Sequence, residues 1–387
     1  VAGIYLHIPF CKQACHYCNF HFSTSLRLKK NLLSALKKEV MGRQGYLDPH
    51  APIESIYLGG GTPSLLTEAE LTDLFELLFD TFRVAPDAEI TLEANPDDLS
   101  PQKVAALRRS PVNRLSIGLQ SFSDEDLHFF NRAHTAAESH ACLERVLAAG
   151  FEDLTVDLIY GATTTSDARW KANVEAVLTH GIRHLSCYAL TVEPRTALAY
   201  QIEKGRTPPP DEEQVARQFE WLVERMEQAG YEHYEISNFA RPGHRARHNS
   251  NYWLGRPYLG LGPSAHSFDG LSRQWNLANN ARYIRALESG RDWDQLEGVV
   301  WEREMLGADQ RYNEYVLTRL RTAWGCAQGE LEQLGTRYWQ HFQTEALPFL
   351  RRGQITEQEG IYRLSRAGML LADHIAAALF FPEIEEA

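Results

Sequence analysis

Cys11-Lys-Gln-Ala-Cys15-His-Tyr-Cys18 stands just behind a short apolar stretch, Ile4-Tyr-Leu-His-Ile8, that Pro9 cuts off. Closely spaced thiols suit a soft metal or an iron–sulfur cluster, because thiolates hold both well and a compact loop can aim several at one point. A cubic 4Fe-4S cluster takes four ligands, so three cysteines leave one iron open for chemistry. Two other readings are a structural zinc site completed by His7, His16 or His21, and three unconnected buried thiols.

Upstream, Ile4, Leu6 and Ile8 alternate with Tyr5 and His7, the period of a strand. Downstream, residues 26–42 carry a helical pattern through Leu28, Leu32, Leu33, Leu36 and Val40. A second strand is predicted over 55–58, running into Gly59-Gly60-Gly61-Thr62-Pro63, followed by a helix capped by Thr67 with Glu70 three residues on. Further strands are predicted over 89–93, stopped by Asn95-Pro96, and over 114–119, ending at Gln120. The last two fall over 154–159, carrying Asp157, and over 184–190. Ser100-Pro101 opens one intervening helix and another lies around 167–180.

Six strand-then-helix units imply an α/β fold with a parallel sheet, because parallel neighbours need crossover connections. Periodicity leaves open whether that sheet is doubly wound or curved into a partial barrel. It does give position. The cysteine triplet, the glycine run, Glu93 and Gln120 fall at C-terminal ends of strands, with Asp157 near that end of its own. Parallel α/β folds build their active sites on this edge. Taken singly, Glu93 or Asp157 reads equally as a capped or paired carboxylate.

The length of 387 residues fits a barrel plus a smaller appendage, and the hydrophobic fraction of 44% is that of a globular protein. A net charge of −12 argues against a general nucleic-acid or anionic-membrane surface. Cys142, Cys187 and Cys326 lie far apart, which is no secreted disulfide framework, and they read as inert core residues. With no charged leader and no long apolar run, the expectation is a soluble, cytoplasmic chain with no integral membrane segment.

Cys11xxxCys15xxCys18, Tyr5-Leu-His-Ile-Pro-Phe10 before it and Gly59-Gly-Gly-Thr-Pro63 after the second strand resemble the radical S-adenosylmethionine (SAM) proteins of the oxygen-independent coproporphyrinogen III oxidase group. The likeness extends over Asp157-Leu-Ile-Tyr-Gly161, His248-Asn-Ser-Asn-Tyr-Trp253 and Asn313-Glu-Tyr-Val316. Within the group it is most similar to the heme-chaperone branch. The oxidases carry a further cysteine where this chain has Phe20, and an N-terminal extension that this sequence lacks. The chain departs from its relatives at Gly161-Ala-Thr-Thr-Thr165, where a proline commonly follows the glycine-apolar pair.

The resemblance implies an incomplete (β/α)6, TIM-like radical SAM barrel. It implies that Cys11, Cys15 and Cys18 hold three irons while the amino and carboxylate groups of SAM chelate the fourth. Tyr5 would lie beside that ligand, and the Gly60-Gly61-Thr62 backbone would both accept and donate hydrogen bonds to its methionine part. Arg132 would pair with the carboxylate, and Glu93, Gln120 and Asp157 would bond to the amine and ribose edges. The implied function is heme binding and transfer, with heme-accepting proteins such as respiratory-chain components as partners and a dimer among the assemblies allowed. The alternative is a coproporphyrinogen III oxidase or another radical SAM enzyme acting on a tetrapyrrole. The branch implied here is not known for that oxidase activity.

Residues 1–206 are therefore expected to form the cluster-bearing partial barrel and 207–308 to complete and connect it. Thr207-Pro-Pro-Pro210 is a stiff boundary between them. A helix follows with Val215, Phe219, Leu222 and Met226 on one face. In the aromatic segment 231–268, His248 is the candidate heme ligand, with a packed loop as the plainer reading. His244, Arg247 and His266 are equally placed to meet iron or a propionate. Residues 309–387 read as helices, a hairpin turning at Glu359-Gly360 and a last helix, a winged-helix-like order. Eight arginines and no lysine against eleven acidic residues there favour packing or partner docking over nucleic acid.

Overall fold

In the computed structural model, which describes residues 1–382, six strands pair in sequence order and run parallel. They are β1 (Ala2–Ile8), β2 (Ile53–Gly60), β3 (Val84–Ala94), β4 (Arg114–Gln120), β5 (Asp153–Tyr160) and β6 (His184–Ala189). Each crossover carries helix, including Lys29–Gly42, Glu68–Thr81, Pro101–Arg109 and Asp167–Thr179. Thr67 and Glu70 make the reciprocal capping box, and the Ser100 side chain accepts from the Lys103 N–H ahead of Pro101. One side of each strand, including Leu6, Leu58, Leu92, Ile117 and Val156, packs into the main apolar core.

The other side is polar and curls inward. Tyr57, Thr91, Glu93, Arg114, Ser116, Thr155, Asp157 and Ser186 face one small common cavity although they come from β2 through β6. Curvature of the sheet is what lets five neighbouring strands share it.

Later segments extend the sheet at both ends. Next to β6 lie the antiparallel β7 (Glu232–Glu235) and β8 (Asn238–Ala240). On the free edge of β1 lies β9 (Tyr258–Leu261), a parallel strand beyond the six that periodicity predicts. The antiparallel β10 (His266–Phe268), β11 (Ser272–Asn276) and β12 (Trp301–Met305) follow. Six inter-strand steps of about 4.8 Å would put β6 and β9 roughly 29 Å apart in a flat sheet. Instead Tyr188 at the end of β6 and Tyr258 on β9 wall one cavity. The sheet is thus an open barrel, with order β12-β11-β10-β9-β1-β2-β3-β4-β5-β6-β8-β7.

A buried polar knot fastens the β9–β11 flank to the first helix. The Glu39 carboxylate accepts from the Gly262 N–H at 2.8 Å, Asn276 Nδ2 at 2.7 Å and the Tyr283 hydroxyl at 2.5 Å. Arg43, one turn on, donates to the Gly260 carbonyl at 2.7 Å and to Gln274 at 3.0 Å. The C-terminal part has a separate apolar core that includes Tyr312, Val316, Phe342 and Ile375. It consists of helices and a small sheet of β13 (Cys326–Ala327), β14 (Ile355–Gln358) and β15 (Ile361–Leu364). Its hairpin turns at Glu359-Gly360, both at positive φ, as a two-residue turn requires. Among the described residues no helix is long and apolar enough to cross a membrane.

Candidate functional site

The cysteine loop leaves β1 through a closed neck. The Ser23 N–H donates to the Pro9 carbonyl at 2.9 Å and the Cys11 N–H to the Ser23 carbonyl at 3.1 Å. The segment after β4 grips the loop from the side. Gln13 Nε2 donates to Asn131 Oδ1 at 2.7 Å, Asn131 Nδ2 to the Ala14 carbonyl at 2.7 Å, and His16 Nδ1 to the Phe129 carbonyl at 2.9 Å. Lys12 pairs with Asp97 at 2.9 Å and with Asp98. Burial pushes the Cys11 thiol up to about 11, and the neighbouring Cys18 and Cys15 add to the rise.

Arg132 lies beneath the loop. Nη1 donates to Cys15 Sγ at 3.3 Å, and Nη2 to Asn95 Oδ1 at 2.5 Å and to the Gly118 carbonyl at 2.6 Å. Its Nε is buried without an acceptor, a donor that an anionic group of a bound ligand would satisfy. Gln120, closing β4, is buried at φ 69°, a conformation that a non-glycine residue adopts only when its surroundings enforce it.

Glu93 links the glycine run to the barrel interior. Its carboxylate accepts from the Tyr57 hydroxyl at 2.9 Å and from the Gly60 N–H at 3.1 Å. Burial pushes it up to about 7, opposed by the Tyr57 hydrogen bond and aided by the charge of Asp157. Burial also lifts Asp157 to about 6 against hydrogen bonds from Ser186 and Ser116. Burial thus holds both carboxyls above the ordinary carboxylate range, and a ligand cation between them would favour the charged forms.

The glycine run differs from expectation in one respect. All three N–H groups are already used: Gly60 on Glu93, Gly61 on the Ile8 carbonyl at 3.1 Å and Thr62 on the Phe10 carbonyl at 2.7 Å. The run can accept from a ligand ammonium through carbonyls, but it has no N–H left to donate. Its lack of side chains also serves the protein itself. A Cβ at Gly61 would stand 2.6 Å from the Ile8 carbonyl oxygen, and one at Gly60 would strike the His7 ring.

Of the histidines offered to a zinc ion, only His7 has both ring nitrogens engaged, while His16 and His21 each bond through one. His7 Nδ1 accepts from the Tyr5 hydroxyl at 3.1 Å while Nε2 donates to the His21 carbonyl at 2.8 Å, and His21 Nε2 bonds Asn280 at 2.7 Å. Among the described residues no three His, Cys, Asp or Glu side chains converge on one ion position.

Beside the loop opens a cavity of about 630 Å³ walled by Tyr5, Tyr57, Tyr188, Tyr252, Trp253 and Tyr258, with Phe20 at its rim. His248 belongs to its wall. The residue sits in the helix Arg247–Trp253 rather than in a loop. Glu89 fixes the start of that helix by accepting from the N–H groups of Arg247 and His248, both at 2.9 Å. Ser55 on β2 meets His248 Nδ1 at 2.9 Å, and burial holds the imidazole down at about 4, hence neutral. His266 lines the cavity, whereas His244 pairs with Asp153 and Arg247 with Asp87 outside it.

Residues that sequence reasoning passed over also build the site. Asn95 joins Arg132 to Thr62, whose Oγ1 it meets at 3.2 Å, and Tyr57 holds Glu93. Asn95-Pro96 was visible only as a strand stop. The inward parity that Tyr57 shares with Ser55 was the available signal for the tyrosine.

The profile of the radical SAM superfamily matches residues 5–177. The heme chaperone HemW of Mycobacterium tuberculosis is 36% identical over 97% of this chain and 94% of its own length. The chain belongs to the HemW family. HemW of Bacillus subtilis is 32% identical over 97% of this chain and 98% of its own length. Among solved structures, coproporphyrinogen III oxidase (HemN) of Escherichia coli superposes with a TM-score of 0.83 over 98% of this chain and 90% of its own. At 23% identity that likeness speaks for the fold alone. The HemW-family chain thus has the radical SAM α/β fold expected from its sequence, and membership in the superfamily implies a 4Fe-4S cluster and SAM.

Proposed function

We propose that this HemW-family chain is a heme chaperone. It binds heme in the aromatic cavity, carries a 4Fe-4S cluster with SAM beside it, and passes heme to acceptor proteins such as respiratory-chain components in the cytoplasm. The cavity supports this reading most strongly: about 630 Å³ of aromatic wall beside the cysteine loop. A macrocycle has two large apolar faces, which tyrosine and tryptophan rings cover while their polar tips keep hydrogen bonds.

In this reading Cys11, Cys15 and Cys18 hold three irons. The carbonyls of Gly60, Gly61 and Thr62 receive the ligand ammonium, Arg132 faces its carboxylate, and Tyr5, Glu93, Gln120 and Asp157 border its amine and ribose edges. When bound, the cluster and SAM supply one-electron chemistry at a sulfonium. The chain's own work is to hold the loop, keep Arg132 charged and exclude water. His248 is the heme ligand. With Nδ1–H donating to Ser55, the free lone pair lies on Nε2, the arrangement in which a second hydrogen bond orients a metal-binding imidazole.

Hemin added to anaerobically reconstituted protein is expected to bind one per chain with a shifted absorption spectrum, and His248→Ala to retain much less. Unchanged stoichiometry and spectrum in the variant would remove His248 from the site. Failure of the wild type to bind hemin, or decarboxylation of coproporphyrinogen III by the reduced protein, would overturn the chaperone reading.

A further inference from the structure

Among the described residues that wall the large cavity, Arg273 is the only lysine or arginine. It lies on β11, where Arg273 and Trp275 alternate with the buried Ser272, Gln274 and Asn276. Its guanidinium sits 5.4 Å from the Phe268 ring centroid, opposite it in the β10–β11 register. The cavity's one carboxylate, Glu235, lies on the opposite flank in β7, buried and hydrogen-bonded by Asn238 and the Ser237 N–H. The wall therefore carries a guanidinium on one flank and, on the other, a carboxyl group that burial pushes toward its neutral form. The partner of Arg273 is Glu314, an ion pair reaching across from the helix Ala308–Leu320 of the C-terminal part. Both side chains keep about a quarter of their surface exposed, 25% and 27%.

We propose that Arg273 is the anchor for a carboxylate on the cavity's ligand, and that Glu314 is the charge with which this carboxylate competes. The proposal rests on the reading of the cavity as a heme site and assigns its acid-recognising end. A guanidinium has five donors in a fixed fork, so it can receive a ligand carboxylate through donors that Glu314 leaves free. Two carboxylates on one guanidinium repel each other, so Glu314 weakens the ligand it stands beside. It also keeps the cation paired and in place when the cavity is empty. The acid end of a planar ligand is thereby directed toward β11 and away from Glu235.

The test compares hemin with hemin dimethyl ester, which has the same macrocycle and no free acid, on the full chain with its cluster reconstituted. Arg273→Gln should weaken hemin about tenfold and leave the ester within about twofold. Glu314→Gln should tighten hemin several-fold, again sparing the ester. This opposition is the signature, since a merely structural ion pair would make both variants err in the same direction for both ligands. If Arg273→Gln does not fold, as judged by circular dichroism and iron content, Arg273→Met, which keeps the apolar stem and removes the charge, takes its place with the same pattern required. Equal loss of hemin and ester in the arginine variant, no loss of either, or weakening of hemin by both variants overturns the arginine assignment alone. Wild-type protein that binds neither ligand overturns the heme reading and this assignment with it.

Discussion

Arg132 touches the cysteine loop, the end of β3 and the end of β4 at once, through Cys15, Asn95 and the Gly118 carbonyl. Lysine keeps the charge but cannot span three acceptors, so Arg132→Lys should cost about 1–3 kcal/mol, read as a drop in unfolding midpoint, and lower iron content after reconstitution. Glu93 makes a pH prediction whose sign can be worked out. Its folded value of about 7 lies above the ordinary 4.5. Between those values the folded chain keeps a proton that the unfolded chain has released. This contribution of Glu93 to stability is fully present below pH 4.5 and is lost as pH rises through 7, by roughly 2–3 kcal/mol from pH 5 to 8. Glu93→Gln cannot ionise and should lose that share of the slope, leaving the smaller share of Asp157, which burial also raises. Urea unfolding of cluster-free protein at the two pH values reads it directly, and identical slopes in the two proteins would exclude Glu93 as its source.

The helix Arg247–Trp253 is only seven residues long, too short to hold itself, and its opening N–H groups are received by Glu89 from β3. Glu89→Ala should therefore fray this helix, costing about 1–3 kcal/mol, and loosen heme retention even though Glu89 never meets the cavity. Hydrogen exchange over 247–253 is the discriminating measurement, and unchanged protection would mean that packing alone holds the helix. The contrast with β1 through β6 explains what the sequence could reveal. Those strands are buried runs such as Leu154–Ile159 bounded by turn residues, so composition and spacing announce them. β9 is four residues, Tyr258-Leu-Gly-Leu261, and is a strand because β1 offers it an edge. Glu39 looked like one more polar position of an amphipathic helix, yet it sits at 0% exposure and binds three partners from beyond residue 260. Cys11, Cys15, Cys18, the glycine run, Glu93, Gln120 and Asp157 were legible as a group because parallel strands bring their ends to one edge. Asn95, Tyr57, Ser55 and Arg273 were not, because each matters through a partner far away in sequence.

Across the molecule the six cysteines divide into two classes. Cys11, Cys15 and Cys18 are partly exposed, while Cys142, Cys187 and Cys326 are buried in the two cores. A thiol reagent on cluster-free native protein should find three groups, and six in denaturant, with the first three protected once iron and sulfide are restored. The open barrel also has a temporal side. β1 lies between β2 and β9, and β9 arrives roughly 250 residues after β1. At ordinary rates of translation this is a wait of roughly ten to fifty seconds, during which one edge of β1 has no partner strand. The cysteine loop is thus made long before Tyr258 and the rest of that flank of the cavity are laid beside β1.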